Sequence, residues 1–143
     1  MVPSFSYETN ATAMVVGVGL MGQFLATHAP GWFGLGKLIL VDHADEITVG
    51  TGRQSLGDFA AGIETTGTTE VSAETIDVTS EEEVSDLFAR HGRVNYLMHT
   101  AGISPKPLTP PEELTREDVL GACEVNLWGA HNILKQGVNS GAL

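Results

Sequence analysis

The chain has 143 residues, 42% of them apolar, and a formal net charge of −11, which fits one soluble globular domain with its own core. Seven Lys and Arg against eighteen Asp and Glu argue against a nucleic-acid partner, because affinity for a phosphate backbone comes from basic side chains. No stretch approaches the roughly 20 apolar residues of a membrane span, and Met1-Val2-Pro3-Ser4 lacks the basic-then-apolar order of a secretory signal, so the expectation is a cytoplasmic protein with no membrane partner.

A lone cysteine, Cys123, permits no internal disulfide. It is expected to serve as a small buried hydrophobe. In that compartment the sequon Asn10-Ala11-Thr12 needs no reading as a glycan site.

In chain order, residues 13–18 form a continuous apolar run of the kind a buried parallel strand shows. Residues 20–28 read as a short helix stopped by Pro30-Gly31. After a glycine-punctuated connection at residues 31–36, residues 37–41 read as a second strand ending at Asp42. Between residues 48 and 67 the pattern is poor, with a helix over 53–63 weakened by Gly57 and Gly62. A third strand is placed at residues 70–76.

The next helix is marked by a capping box, Ser80 with Glu83 three residues on, and by Val84, Leu87 and Phe88 on one face. The acidic run Glu81-Glu82-Glu83 suits its first turn, where carboxylates meet the positive end of the dipole. It ends near His91-Gly92, and residues 94–98 form the fourth strand. Pro105, Pro107, Pro110 and Pro111 forbid a regular ladder in the loop that follows. A last helix begins near Thr115, with Asp118 completing a second capping box and a stripe of Val119, Cys123, Asn126, Ala130 and Ile133.

Four strands alternating with four helices predict a single α/β domain over residues 1–143, a Rossmann-like doubly wound parallel sheet in the order 3-2-1-4. In that order strands 1 and 4 flank the switch point at which a ligand lies over the strand ends. Residues 17–22 and 99–102 stand at that crevice, which makes Thr100, Ala101 and Gly102 candidate ligand contacts.

Gly17-Val18-Gly19-Leu20-Met21-Gly22 matches the dinucleotide fingerprint in its required context, directly after a strand and before a helix. Gly17 permits the tight turn, Gly19 lets the backbone approach a pyrophosphate, and Gly22 lets the helix pack on the strand. The phosphates would meet the helix N-terminus at Leu20 and Met21. Asp42 is placed to accept from the ribose hydroxyls and to repel a 2′-phosphate, which favours NAD over NADP; its other reading is a turn residue. Asp77, followed by Val78, could accept from the adenine amino group or assist the next helix start.

Asn126 falls on the apolar stripe of the last helix, where an amide needs partners or costs about 1–3 kcal/mol. It is a candidate catalytic residue and equally a core amide bonded to backbone. The five histidines show no metal-ligand spacing, so no metal is expected, and no Ser stands in a Gly-x-Ser-x-Gly elbow.

Taken together, the glycine turn, Asp42, Asp77-Val78, His99-Thr100-Ala101-Gly102 and Val125-Asn126-Leu127-Trp128-Gly129 resemble the short-chain dehydrogenase/reductase family over most of the chain. The glycine turn resembles that of a subgroup in which it ends in Met-Gly. The resemblance implies that Ala101-Gly102 lies along the cofactor and that Asn126 holds a water in a proton relay. It further implies hydride transfer between a nicotinamide and a small-molecule alcohol or carbonyl. A homo-oligomer is expected from the apolar edge of strand 4 and the stripe of the last helix.

His99-Thr100 stands where the family has two asparagines. The Ser and the Tyr-x-x-x-Lys pair of the family have no match: Tyr7 precedes the glycine turn, and Tyr96 is followed four residues on by Thr100. The expectation is therefore the cofactor-binding half of an NAD(P)-dependent oxidoreductase without its catalytic half. The alternative from another class is a non-catalytic nucleotide-binding or assembly module.

Overall fold

Strand β1 (Ala11–Val16) is buried along nearly its whole length, because its two faces feed two separate cores. Ala13 and Val15 point to one side of the sheet, and Met14 and Val16 to the other. That two-residue alternation between two apolar environments makes a parallel central strand read as an unbroken apolar run. The computed structural model describes residues 10–65, 68–106 and 108–143; Tyr7, Pro107 and the boundary residue Gly67 lie outside them.

Around β1 the sheet is parallel throughout, in the order β5-β2-β1-β6, with β2 (Leu35–Asp42), β5 (Glu70–Thr75) and β6 (Tyr96–His99). This is the predicted 3-2-1-4 arrangement. Val16 sits beside Val41 on one flank and His99 on the other, so the ends of these three strands come level. The residues that follow them meet at one edge.

Helix α1 (Leu20–Phe33) runs past the predicted stop, with Pro30 buried inside it. Interior proline costs about 3 kcal/mol in an isolated helix. Here Gly22, Ala26, Ala29 and Pro30 form a small-residue face buried in the protein, and that packing overrides the local penalty. Gly34, at φ +58°, supplies the left-handed end that terminates the helix.

The region of poor pattern holds what periodicity missed. An antiparallel hairpin, β3 (Glu46–Val49) and β4 (Gly52–Ser55), precedes a six-residue helix, α2 (Leu56–Ala61), so residues 53–55 are strand and not helix. The two-residue turn places Gly50 at φ +58°, as a tight hairpin turn requires. Ser55 Oγ then caps α2 by accepting from Asp58 N–H at 2.9 Å. Ile47, Leu56 and Ala60 join Val15, Leu38 and Leu40 in the first core.

Helix α3 (Glu81–His91) covers the other face with Val84, Leu87 and Phe88; burying each such side chain stabilises by about 1.5–3 kcal/mol. Its capping box is only half formed. Ser80 Oγ accepts from Glu83 N–H, but the Glu83 carboxylate accepts from Asp77 N–H instead of Ser80 N–H. Thr115 and Asp118 form the complete box at α4 (Arg116–Cys123). There the Thr115 backbone and hydroxyl, with Lys106, hold the Asp118 carboxyl down at about 2.

The last helix is not uniform. A π-helical stretch, Glu124–Gly129, separates α4 from α5 (Ala130–Asn139). The extra residue per turn shifts the helix face, and the predicted stripe breaks: Ile133 is buried, whereas Val119, Cys123 and Asn126 are exposed. Cys123 is therefore not a core residue. Gly129 lets this segment close on the loop after β5, since a Cβ there would lie 2.6 Å from Val78 Cγ2.

Candidate functional site

Over the carboxyl ends of β1, β2 and β6 lies a cleft of about 900 Å³. The fold brings to it nearly all the residues singled out from the sequence: Gly17, Gly19 and Leu20, Asp42, Asp77 and Val78, and Thr100, Ala101 and Gly102. Gly22 stands one turn into α1 behind the wall, and Met21 is exposed beside it without lining the cleft. Asn126 reaches the cleft indirectly, through Ile103, which does line it.

Each glycine meets a different constraint. Gly17 has φ +89°, and a Cβ there would collide with the backbone of Ala101. A Cβ on Gly22 would collide with the Gly17 carbonyl, which measures how closely helix and turn are packed. Around Gly19 a Cβ would meet nothing within 4 Å. The space in front of Gly19 is open cleft, and the leading amides of α1 have no side-chain cap.

Asp42 Oδ2 accepts from Val18 N–H at 2.6 Å, and Oδ1 accepts from Ala44 N–H at 3.1 Å. His43 Nδ1 lies 3.1 Å from Oδ1. The carboxylate is thereby fixed against the glycine turn while it lines the cleft. Asp77 Oδ1 accepts from Thr79 N–H and Thr79 Oγ at 2.9 and 2.8 Å, the pattern of a residue that shapes a helix start.

Thr100 is tied in by hydrogen bonds from both its side chain and its backbone. Its Oγ1 donates to Gly17 O at 2.6 Å, while its N–H donates to Val16 O at 2.7 Å. One residue thus ties the end of β6 to the glycine turn. His99, beside it, is partly buried, its two ring nitrogens have no partner among the described residues, and burial pushes its pKa down.

Asn126 sits in the π-helical stretch. Its Oδ1 accepts from Ile103 N–H at 2.7 Å and its Nδ2 donates to Ile103 O at 2.9 Å. One N–H and one lone pair of the amide are left for a water. The expectation that a polar group faces this amide is met, but on an exposed surface and by backbone.

Sequence reasoning missed the hairpin and the side chain that binds it. Glu46, Ile47, Thr48 and Gly50 form one wall of the cleft, and Gln23 joins them there. The alternation Glu46-Ile47-Thr48-Val49 ahead of Gly50 was the available signal, masked by the helical reading of the residues after it. No group of three or more His, Cys, Asp or Glu able to hold a metal occurs among the described residues, and none of their helices is long and apolar enough to cross a membrane.

The donors fit a dinucleotide: open amides at a helix start, a glycine with free space before it, and a carboxylate fixed against the glycine turn. Residues 47–140 match the family model described as enoyl-(acyl carrier protein) reductase. Among solved structures, the chain is similar to an NAD+-bound xylitol dehydrogenase at 22% identity and a TM-score of 0.68, covering 92% of this chain and 48% of that one. A short-chain dehydrogenase/reductase from Vibrio parahaemolyticus matches at 21% and 0.68, covering 89% and 55%. One from Brucella melitensis, a glucose/ribitol dehydrogenase type, matches at 22% and 0.69, covering 95% and 54%. The chain spans about half the length of these structures.

Proposed function

The chain belongs to the short-chain dehydrogenase/reductase family, and from that premise we propose that it forms the cofactor-binding part of an NAD(P)-dependent oxidoreductase that prefers NAD. The observation that carries this reading is the hydrogen bond that fixes Asp42 to the glycine turn at the rim of one cleft, with open space at Gly19. A bound nicotinamide dinucleotide supplies the hydride chemistry on an alcohol or carbonyl. The residues of this chain bind and orient it.

In that role the first amides of α1, from Leu20 to Gly22, meet the pyrophosphate, and Asp42 accepts from the adenosine ribose. Asp77 and Val78 border the adenine, and the backbone of Thr100, Ala101 and Gly102 runs along the far side of the cleft. Asn126 fixes the Ile103 loop and retains the capacity for one water. No Tyr in these 143 residues has a Lys four positions on, so general acid/base assistance, worth about 10²–10⁴-fold, is not assigned to any group here.

Self-association belongs to the same proposal. Leu127, Leu134 and Val138 are 71%, 54% and 65% exposed along the last helix, and apolar surface of this kind marks association sites. The cytoplasm is the compartment that fits a nicotinamide-dependent enzyme with one exposed thiol.

The cofactor reading is tested by calorimetric titration of NAD into the wild type and Gly19→Val. The expected result is micromolar-range or tighter binding, on the order of 8 kcal/mol, that the valine abolishes. Equal affinity of two folded proteins would remove the assignment.

A further inference from the structure

We propose that Gln23 is a positioning residue that locks the β3–β4 hairpin in place as the adenosine-side wall of the cleft. The inference rests on the cofactor reading above and deepens it. Gln23 stands in the first turn of α1, where its N–H donates to Gly19 O at 2.9 Å. Its side-chain Nε2 donates to Val18 O at 3.0 Å and to Thr48 O at 2.8 Å. Both amide hydrogens are therefore used, one on the glycine turn and one on the hairpin.

The hairpin is held in two different ways along its length. Near its base, Ile47 packs into the core, and Leu56 N–H donates to Asp45 O at 2.6 Å. Thr48 O, close to the turn at Gly50, is held by Gln23. Since Val18 N–H donates to Asp42 Oδ2 while Val18 O accepts from Gln23, a single peptide segment links the carboxylate, the glutamine and the hairpin. That linkage fixes Thr48 relative to Asp42.

The side of the cleft follows from connectivity. Asp42 ends β2 and would take the adenosine ribose, and the hairpin begins four residues later, at Glu46. Ala101 and Ile103, which follow β6, and Val125, in the π-helical stretch, line the same cleft from elements distant in the chain from the hairpin. Loss of the Gln23 latch should therefore weaken recognition of the adenosine half and leave the sheet intact, because neither bond belongs to the β5-β2-β1-β6 ladder and the freed Thr48 carbonyl lies on an exposed surface.

The test titrates ADP-ribose and NAD calorimetrically into wild type, Gln23→Leu and Gln23→Glu, alongside hydrogen exchange of the backbone amides. Removing two hydrogen bonds predicts a loss of affinity of about tenfold or more, by the same factor for both ligands. It also predicts faster exchange in residues 47–53 with β1 and β2 unchanged. Gln23→Glu keeps the size but has no hydrogen to donate at neutral pH; because its charge also opposes a diphosphate, its hairpin exchange, and not its affinity, decides the matter where the leucine variant fails to fold. Unchanged affinity and unchanged hairpin protection overturn the proposal, as does a loss accompanied by faster exchange throughout β1 and β2. If the wild type binds neither ligand, the cofactor reading falls and the latch with it; wild-type binding that both variants retain removes the latch alone.

Discussion

Asn126 grips Ile103 by both ends of its peptide environment, accepting from its N–H at 2.7 Å and donating to its carbonyl at 2.9 Å. A π-helical turn presents the amide, and the loop it holds borders the cleft. Asn126→Ala removes both bonds on an exposed surface, so the expected loss of stability is about 1–2 kcal/mol, read from denaturant midpoints. Asn126→Asp is expected to be worse at neutral pH, because a carboxylate still accepts from the Ile103 N–H but opposes its carbonyl. Acidification gives the Asp carboxyl a hydrogen to donate to the Ile103 carbonyl, so Asn126→Asp should move toward wild type while Asn126→Ala stays where it is, and a pH-independent gap between the two variants would contradict that account.

At Asp42 the expected outcome concerns selectivity. The carboxylate is anchored by Val18 N–H and Ala44 N–H, and in the proposed cofactor pose a 2′-phosphate would approach it. Asp42→Ala should lower the ratio of NAD to NADP affinity by about tenfold or more, a charge-repulsion effect of the order of 1.4 kcal/mol. Competitive titration of the two cofactors measures it. An unaltered ratio would leave Asp42 as a residue that shapes the turn alone.

Gly17 and Gly19 should separate folding from binding. Gly17→Ala forces a side chain into φ +89° and into the Ala101 backbone, and strain of this kind costs about 1–3 kcal/mol before any clash is counted. Gly19→Ala meets open space and should melt within a few degrees of wild type while binding NAD less well. Parallel thermal melts and titrations check both. Should Gly19→Ala prove the less stable protein, the division of roles between the two glycines is wrong.

The sheet was legible because its signal is local. β1 and β2 are continuous apolar runs, and the glycines and Asp42 follow them directly, so strand order and cleft could be placed from sequence. The hairpin was not legible, since Glu46 to Ser55 carries only four residues per strand and its stability comes from Ile47 in a distant core and from Gln23 on α1. Pro30 misled for a related reason: its penalty is local and visible, whereas the packing that offsets it is tertiary. The π-helical turn left no mark on the 3.6-residue stripe, and so Cys123 and Asn126 were placed inside when they lie outside.

Apolar exposure along the last helix predicts self-association. Leu127, Leu134 and Val138 are more than half exposed, and Leu127→Glu with Leu134→Glu should shift the protein toward monomer by charging that surface. Sedimentation across a concentration range distinguishes the outcomes. A wild type that stays monomeric at high concentration would show that this face is not a self-association site.

The last prediction concerns acid stability. On β5, Glu74 is partly buried, and burial alone would raise its pKa. Hydrogen bonds with His91 and Arg90, reinforced by their charges, outweigh burial and lower it below 4.5. His91 Nε2 lies 2.7 Å from Oε1, and Arg90 Nη2 donates to Oε2 at 2.9 Å. Because the folded-state pKa is depressed, the stabilisation is fully present above the unfolded value and is lost as pH falls through the folded one. Wild type should therefore show a steepening loss of stability below about pH 4.5 to which this carboxylate contributes. Glu74→Gln should be less stable at neutral pH and lose less on acidification, so that the two stability curves approach each other at low pH. Denaturation midpoints measured at half-unit steps from pH 7 to pH 3 report the difference, and parallel curves would show that the tie between α3 and β5 does not depend on the charge of Glu74.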